Sequence, residues 1–503
     1  MNYFFGVNLG SGLTGIEKAQ FNRLNLFNVG GMSAKCVYMK YNNQLHHNAI
    51  SFSQRNKCFT MYDYFQLAVD KIEENDKFFD WLEYWQDTCH YKSEISAVNS
   101  RDVRIFNDAG VLLMYAHFLD DAHMRLDYIN YFDATHVKIR REFYDSRGFL
   151  SRVSYLVKHE ATHTEAYLDP QGVTRLIKQF DITKPVRELR TIILKDYHDR
   201  DYVFHSEQEL QVFFFKELYV SGDVYFCDRN AQLAPTMSKV AGIPICAVFH
   251  STHVKVGENV LTGRLKSNYL FVLENPEYFT RIIVSTNKQK KDLIERFPNL
   301  PPVEAIPVGV AKRHTPQFGK RRPNRIISVA RYSPEKQLLH QLEIINRLKD
   351  EFPNIELHLF GFGHKVGNQM AEFIKKNQLE KHVFMRGFLA DLSKEFEQAS
   401  LALMTSLEEG FSLATLEAES YGVPVIGYRI SYGPDEIIEN GVNGYLVAPN
   451  EIDSLYDNVR KYLLNPEMQK KLMIGAYDSV GRYTSQPVIA KWQQLVDQIV
   501  KSL

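Results

Sequence analysis

In the C-terminal half of the chain, short continuous apolar runs alternate with longer stretches in which apolar residues recur at helical spacing. Arg325–Ala330 is the first such run, and it predicts a buried parallel strand. Ser333-Pro334 behind it reads as an N-cap and first helical residue, opening a helix through about Phe352. In that stretch Leu338, Leu339, Leu342, Ile345 and Leu348 fall on one face. The alternation continues with strand Ile355–Phe360, a helix to about Asn377, strand His382–Met385 and a helix near Leu392–Glu397. Strand Ser400–Met404, a helix over about Leu413–Tyr421 and strand Pro424–Tyr428 follow. Strands and helices in this order predict βαβ units and a doubly wound parallel sheet.

The period changes in the middle of the chain. From about Val103 to Phe204 helix signals are few, and β-rich runs are separated by turns. Lys138–Tyr144 and Phe149–Leu156 flank Asp145-Ser146-Arg147-Gly148, and Glu165–Leu168 and Val173–Ile177 flank Asp169-Pro170-Gln171-Gly172. Both pairs predict hairpins with four-residue loops, within an antiparallel meander inserted into an N-terminal α/β domain. On either side of it, Phe4–Leu9, Val224–Asp228, Ile245–His250, Ile282–Ser285 and Ala305–Pro307 read as strands of one parallel sheet, with a helix at Gly15–Phe27. The Pro-containing, basic stretch Ala311–Pro323 reads as a linker. The expected domains are therefore 1–60 with 205–310, an inserted 61–204, 311–480, and a C-terminal helix in 481–503 that crosses back to the N-terminal domain.

Composition narrows the classes of function. A chain of 503 residues suits two large domains with an insertion. Lys+Arg and Asp+Glu both number 60, so no global basic field argues for nucleic acid. The basic runs Lys288–Lys291 and Lys320-Arg321-Arg322 read as solvated faces. Cys36, Cys58, Cys89, Cys227 and Cys246 form no CxxC or CxxH pair, which predicts reduced thiols and no zinc site. The start lacks a basic, then apolar, leader pattern, and no run approaches the roughly 20 apolar residues of a membrane span. The expected location is cytoplasmic, with peripheral contact at the inner face of the cell membrane left open.

The sharpest chemical signal is Glu409-Gly410-Phe411-Ser412-Leu413-Ala414-Thr415-Leu416-Glu417. Two glutamates flank a Gly-containing turn that opens a helix. The backbone N–H groups of such a turn, near Phe411, Ser412 and Leu413, offer a seat for a phosphate or polar sugar. Glu409 can reach a sugar hydroxyl, and Glu417 can accept both hydroxyls of a ribose. The alternative is a capped surface helix with chance acids. In Arg331-Tyr332-Ser333-Pro334-Glu335-Lys336, Arg331 follows a strand and Lys336 falls in the first turn of the next helix. A cation there opposes the helix dipole unless an anion is bound, and a diphosphate leaving group needs such cations. Solvated surface charge is the alternative.

Weaker signals surround these. Gly10, Gly12 and Gly15 match a GxGxxG turn between the first strand and helix, but no acidic ribose partner follows at the usual spacing. His250 and His253, in His250-Ser251-Thr252-His253, follow a strand, where α/β sheets bind ligands, and a structural role is the alternative for each. Gly361-Phe362-Gly363 and Arg386-Gly387-Phe388 each follow a strand. Gly361 would allow close backbone approach, and a uracil could bond to backbone near Phe388. Asp199-Arg200-Asp201 could hold a metal but reads as a solvated turn.

With Tyr432-Gly433-Pro434 downstream, the chain resembles the family-four GT-B retaining glycosyltransferases. Asn8-Leu9-Gly10, Leu13–Ala19, Met61–Phe65, Phe143–Gly148 and Phe249–His253 are similar to the subgroup with a β-meander insertion, which includes the O-GlcNAc transferase subunit for serine-rich adhesins of the accessory Sec system and wall-teichoic-acid glycosyltransferases. The resemblance implies an α/β GT-B fold, two Rossmann-like domains with an inserted antiparallel meander. It implies UDP-N-acetylglucosamine as donor, a serine-rich polypeptide as acceptor, and a homologous non-catalytic partner subunit or a homo-oligomer. By position, Glu409 would contact the donor sugar and Glu417 the ribose, Arg331 and Lys336 would hold the diphosphate, Gly15 would let backbone approach the ligands, and His253 would line the sugar pocket. No cofactor or metal is expected. Ser412 departs from the glycine found in many members. UDP-glucose as donor, a teichoic-acid acceptor, and a non-catalytic binding subunit are the rival readings; intact Glu409, Glu417, Arg331 and Lys336 weigh against the last.

Overall fold

The computed structural model describes residues 1–72, 79–157, 160–183, 187–314, 318–389 and 391–502. Its contacts divide the chain into two compact units, Met1–Phe21 with Ser33–Ile243, and Asn22–Met32 with Pro244–Leu503.

In the first unit, strands Val224–Cys227, Asn2–Gly6, Ala34–Tyr38 and Cys58–Thr60 lie side by side, all parallel. The first strand ends at Gly6, short of the predicted Leu9, and residues 7–14 form the loop that leads to helix Gly15–Val29. Between Cys58–Thr60 and Val224–Cys227 the chain builds a ten-stranded antiparallel sheet running in order from Lys92–Ile95 to Arg200–Phe204. Every strand pairs with its neighbour in sequence, as a meander requires. Both predicted hairpins form, Lys138–Asp145 with Phe149–Val157 and Ala161–Leu168 with Thr174–Asp181. Their turns are fixed by aspartates that accept from backbone N–H groups ahead of them: Asp145 from Arg147 at 2.9 Å, and Asp169 from Gln171 at 3.0 Å and Val173 at 2.9 Å.

In the second unit, Ile245–Val248, Arg281–Val284 and Val303–Ala305 form parallel pairs. A six-stranded parallel sheet follows, in the order Val383–Gly387, Glu356–Phe360, Arg325–Val329, Leu401–Met404, Val425–Tyr428, Gly444–Val447. The apolar runs are continuous because both faces are covered: Leu401 and Leu403 join one buried cluster, and Ala402 and Met404 join another. The last strand, Gly444–Val447, has no counterpart among the predicted elements.

Two sequence expectations are revised here. The helix expected from Ser333-Pro334 is two elements, a 3-10 turn over Pro334–Lys336 and an α-helix over Leu338–Leu348. Gln337, at φ 47°, breaks the path between them, so Lys336 lies outside the α-helix. Arg321, expected on a solvated face, is half-buried and donates to the carbonyls of Ala399 and Tyr421. Burial pushes its guanidinium down to about 10. In the other basic run, Lys288 pairs with Asp435 at 2.7 Å and Lys290 with Glu304 at 3.3 Å. Of the predicted linker, residues 315–317 lie outside the described residues. The C-terminal helix Ser485–Lys501 packs on the second half of helix Gly15–Val29, with Trp492 5.4 Å from Phe27 and Gln493 Nε2 donating to the Gly30 carbonyl at 2.9 Å. No helix among the described residues is long and apolar enough to cross a membrane.

Candidate active site

The six-stranded sheet reverses its strand order between Arg325–Val329 and Leu401–Met404. Loops leaving the carboxyl ends of two such strands diverge, and the crevice between them is where open α/β sheets bind ligands. Here the loops carry Arg331–Lys336 and Thr405–Ser412. They are knit together by backbone and side chain: Leu407 N–H donates to the Glu335 carbonyl at 2.8 Å, and Thr405 Oγ1 donates to the Lys336 carbonyl at 2.8 Å.

That knitting aims the charges. Lys336 Nζ lies 2.7 Å from Glu409 Oε1, which also accepts from Ser406 Oγ at 2.8 Å. Ending the 3-10 turn at Lys336 frees this side chain from the helix that follows. Arg331 is far more exposed, its side chain at 69%, and among the described residues its guanidinium reaches Glu335, at 3.3 Å. Burial works against ionisation of Glu335, but the Ser333 hydroxyl, Lys336 and Arg331 hold its carboxyl below the ordinary value. Two cations therefore stand at the switch point, one largely covered and oriented by Glu409, the other exposed and paired with Glu335.

Around the turn after Glu409, packing is close. A Cβ at Gly410 would lie 2.1 Å from the His250 carbonyl oxygen, so only glycine lets these two loops meet. Phe411 is buried, its ring 5.5 Å from that of Tyr483. Ser412 takes a left-handed conformation at φ 67° as N-cap of helix Leu413–Ser420, and its hydroxyl lies 2.7 Å from Thr415 Oγ1. Glu417 follows on that helix, half-buried. On the neighbouring strand ends, a Cβ at Gly361 would lie 1.8 Å from the Ala330 carbonyl oxygen. Phe388 is 66% exposed and meets exposed Phe362 edge to face at 6.2 Å. An exposed aromatic pair after the carboxyl ends of parallel strands is suited to a planar base.

The two histidines differ. His250 meets the site through its backbone: its N–H donates to Tyr269 Oη at 2.9 Å and its carbonyl abuts Gly410. His253 is fully buried, with Nε2 2.9 Å from the Val260 carbonyl and its ring stacked 6.3 Å from Tyr432. Burial pushes its imidazole down to about 4, so the ring is neutral and Nε2 is the donor. Gly15 belongs to the other unit, at the start of helix Gly15–Val29, whose first turn is capped by Glu17 accepting from Thr14 N–H at 3.1 Å. Asp199 sits in the turn between Glu188–Tyr197 and Arg200–Phe204, and Asp201 accepts from Asp196 N–H at 3.0 Å, which is the arrangement of a hairpin turn. Among the described residues, three potential metal ligands converge at His46, Asp63 and Asp145. Arg147 donates to both aspartates there, so the cluster is a buried ion pair.

Sequence reading passed over Lys266, Glu335, Glu408 and Ser406. Lys266 pairs with the Glu408 side chain, and Lys336 Nζ lies 3.4 Å from the Glu408 carbonyl. Glu408 and Glu335 each stand beside a residue that was read as functional; Lys266 has no such neighbour in sequence.

Residues 311–478 match the family described as Glycosyl transferases group 1. Along nearly its whole length the chain is similar to the UDP-N-acetylglucosamine–peptide N-acetylglucosaminyltransferase GtfA subunit of Streptococcus pneumoniae serotype 4, at 23% identity over 99% of each chain. A poly(ribitol-phosphate) alpha-N-acetylglucosaminyltransferase of Staphylococcus aureus is 26% identical over 48% of this chain and 49% of that protein. The crystal structure of the pneumococcal O-GlcNAc transferase GtfA in complex with UDP and GlcNAc superposes with a TM-score of 0.84, at 19% identity and 99% coverage of both chains, which establishes a shared fold. With residues 311–478 matching glycosyl transferases group 1, the chain is a glycosyltransferase of the GT-B fold.

Proposed function

We propose that the enzyme transfers N-acetylglucosamine from UDP-N-acetylglucosamine, with retention, to Ser/Thr hydroxyls of a serine-rich polypeptide. The observation that carries the reading is the convergence of Lys336, Arg331 and Glu409 at the switch point of the parallel sheet. In the step, the bond from the sugar C1 to the β-phosphate oxygen breaks, and its electron pair stays with the diphosphate. A bond from C1 to the acceptor oxygen forms on the same face, and the acceptor proton passes to the departing phosphate oxygen. Lys336 and Arg331 stabilise the growing negative charge, while Glu409 holds a sugar hydroxyl and Glu417 the ribose. The N–H groups after Gly410 face the phosphates, and the exposed Phe362 and Phe388 rings flank the base. These cations take the part a divalent ion plays elsewhere, so EDTA should leave the rate unchanged; loss on chelation restored by manganese would overturn that.

The polypeptide acceptor is favoured by likeness over 99% of the length of an enzyme named for peptide transfer. A teichoic-acid acceptor is the second reading, carried by the relative named for poly(ribitol-phosphate). The meander would join a homologous partner subunit or a second copy, and the enzyme would work in the cytoplasm or against the inner face of the membrane. Co-expression with a serine-rich polypeptide, followed by intact-mass measurement, tests the assignment. Increments of N-acetylhexosamine support it; hexose increments would make the donor UDP-glucose. An unmodified polypeptide, with transfer to poly(ribitol phosphate), would move the acceptor to the second reading.

A further inference from the structure

Lys266 occupies the residue before helix Ser267–Glu274, and its backbone N–H donates to the His253 carbonyl at 2.9 Å. That anchors its Cα beside the His250–His253 loop and sends the side chain to the turn that carries Glu409. Its ammonium pairs with the Glu408 carboxylate and lies 3.4 Å from Ser251 Oγ. Both partners of the Lys266–Glu408 pair are largely buried, each side chain at 16% exposure. A buried lysine is costly unless its charge is needed, and an apolar side chain of the same length would fill that space without desolvation.

The charges around it have a pattern. Glu408 meets two cations, Lys266 through its carboxylate and Lys336 through its carbonyl at 3.4 Å. Lys336 is also held by Glu409, and Arg331 by Glu335. Three cations are thus matched by three carboxylates, and an anion entering beside Lys336 must compete with acids for its partners. Lysine, a point charge on a flexible stem, can change partner with little backbone movement.

We propose that Lys266 is a third cation of the donor site, which leaves the Glu408 carboxylate to meet the diphosphate of the nucleotide sugar. Glu408 is then its resting partner and a competitor of the phosphate. The inference rests on the donor-site reading above, and adds to it a residue from the chain segment that follows strand Ile245–Val248.

Calorimetric titration of the full chain with UDP and with uridine tests it, with Lys336→Ala as the reference. Lys266→Met should weaken UDP about tenfold or more, the size of one charge-assisted contact, and leave uridine unchanged. Lys266→Arg should recover part of the loss. Glu408→Gln should tighten UDP, because the competitor is gone. If Lys336→Ala weakens UDP while Lys266→Met does not, the inference fails and the donor site stands. If neither variant weakens UDP, the donor-site reading fails with it. Equal weakening of UDP and uridine by Lys266→Met, or no tightening in Glu408→Gln, would make the pair a structural brace and overturn the handover.

Discussion

The ten-stranded antiparallel sheet and the six-stranded parallel sheet treat charge in opposite ways. The parallel sheet lines most of its strand positions with aliphatic residues, and Lys336 and Glu409 meet in the loops that follow two of its strands. The antiparallel sheet buries ions within and beneath its strands. Arg147 is enclosed with Asp63 and Asp145, while Lys178 donates to Tyr62 Oη and to Glu207. Arg152 lies 4.0 Å over the Phe143 ring and 4.4 Å over Tyr41. Burial pushes the Lys178 ammonium below its ordinary value, against the pull of Glu207. In the antiparallel sheet charge specifies how strands and turns lock to helix Met61–Phe65; in the parallel sheet the Lys336–Glu409 pair stands beyond the strand ends, where the proposed donor site lies.

Arg147 offers the strongest way to break the comparison. Its guanidinium donates to Asp63, to Asp145 at 2.7 Å and to the Ala68 carbonyl at 2.6 Å. Arg147→Met leaves two buried carboxylates facing each other, and should cost about 3–5 kcal/mol of stability. UDP affinity, measured well below the unfolding transition, should stay unchanged. Urea unfolding checks the first and calorimetry the second. A loss under about 1 kcal/mol would mean that water reaches the cluster and that the sheet is not locked by charge.

The corresponding change at the parallel sheet is Lys336→Ala, with Arg331→Ala beside it. Each should reduce transfer by the worth of one charge-assisted contact, about 1.5–3 kcal/mol in transition-state stabilisation, while leaving the unfolding midpoint in place. Lys336 should show the larger effect because its side chain is largely covered and oriented by Glu409, whereas that of Arg331 is exposed. Initial rates at saturating and limiting UDP-sugar would separate kcat from KM. Near-normal turnover in both variants would remove the diphosphate from these residues.

The parallel sheet was legible in the sequence because burial on both faces leaves continuous apolar runs, as in Leu401–Met404, and the helices between them keep a clean period. The hairpins were legible through their Asp–Gly turns. The break at Gln337 was not, since Ser333-Pro334-Glu335 is a good helix start and it is tertiary bonds, from Thr405 Oγ1 to the Lys336 carbonyl and from Leu407 N–H to the Glu335 carbonyl, that hold Lys336 out of the helix. Strand Gly444–Val447 begins with glycine and is only alternately buried, so it lacks the continuous buried run that marks Leu401–Met404. The Glu409–Glu417 and Arg331–Lys336 motifs were visible as local spacing. Lys266 was not, because its partner Glu408 lies 142 positions away and only folding brings the two together.

Glu419 sharpens the contrast, being a buried acid in the parallel region with no cation bonded to it in the structure described. It lies in helix Leu413–Ser420, accepts from Asn443 Nδ2 at 2.8 Å and bonds Ser479 Oγ at 2.7 Å. Burial pushes its carboxyl up to about 8. The folded state therefore holds a proton that the unfolded chain releases near its ordinary value. Its stabilising contribution is complete below about pH 4.5 and is lost as pH rises towards 8, at about 1.4 kcal/mol per pH unit within that window. Glu419→Gln, which keeps the shape and the hydrogen bonds, should remove this dependence. Urea unfolding of both proteins at pH 5, 6, 7 and 8 would show the difference between them widening with pH; a constant difference would mean that Glu419 is ionised throughout.

The smallest expected effect concerns backbone rather than charge. Ser412 sits in the turn between Glu409 and Glu417 at φ 67°, a region that costs a residue with a Cβ about 1 kcal/mol or more. Its hydroxyl partly offsets this through Thr415 Oγ1, at 2.7 Å, a bond worth about 0.5–1.5 kcal/mol. Ser412→Gly loses the bond and the strain together, so its stability should stay near that of the parent. Ser412→Ala loses the bond and keeps the strain, and should fall below the glycine variant by about 1 kcal/mol. The antiparallel region, unfolding on its own buried ion pairs, should not respond to either change. Thermal unfolding of the two variants side by side decides the point. If alanine equals or exceeds glycine, the turn is not strained at Ser412, and the serine stands there for its hydroxyl alone.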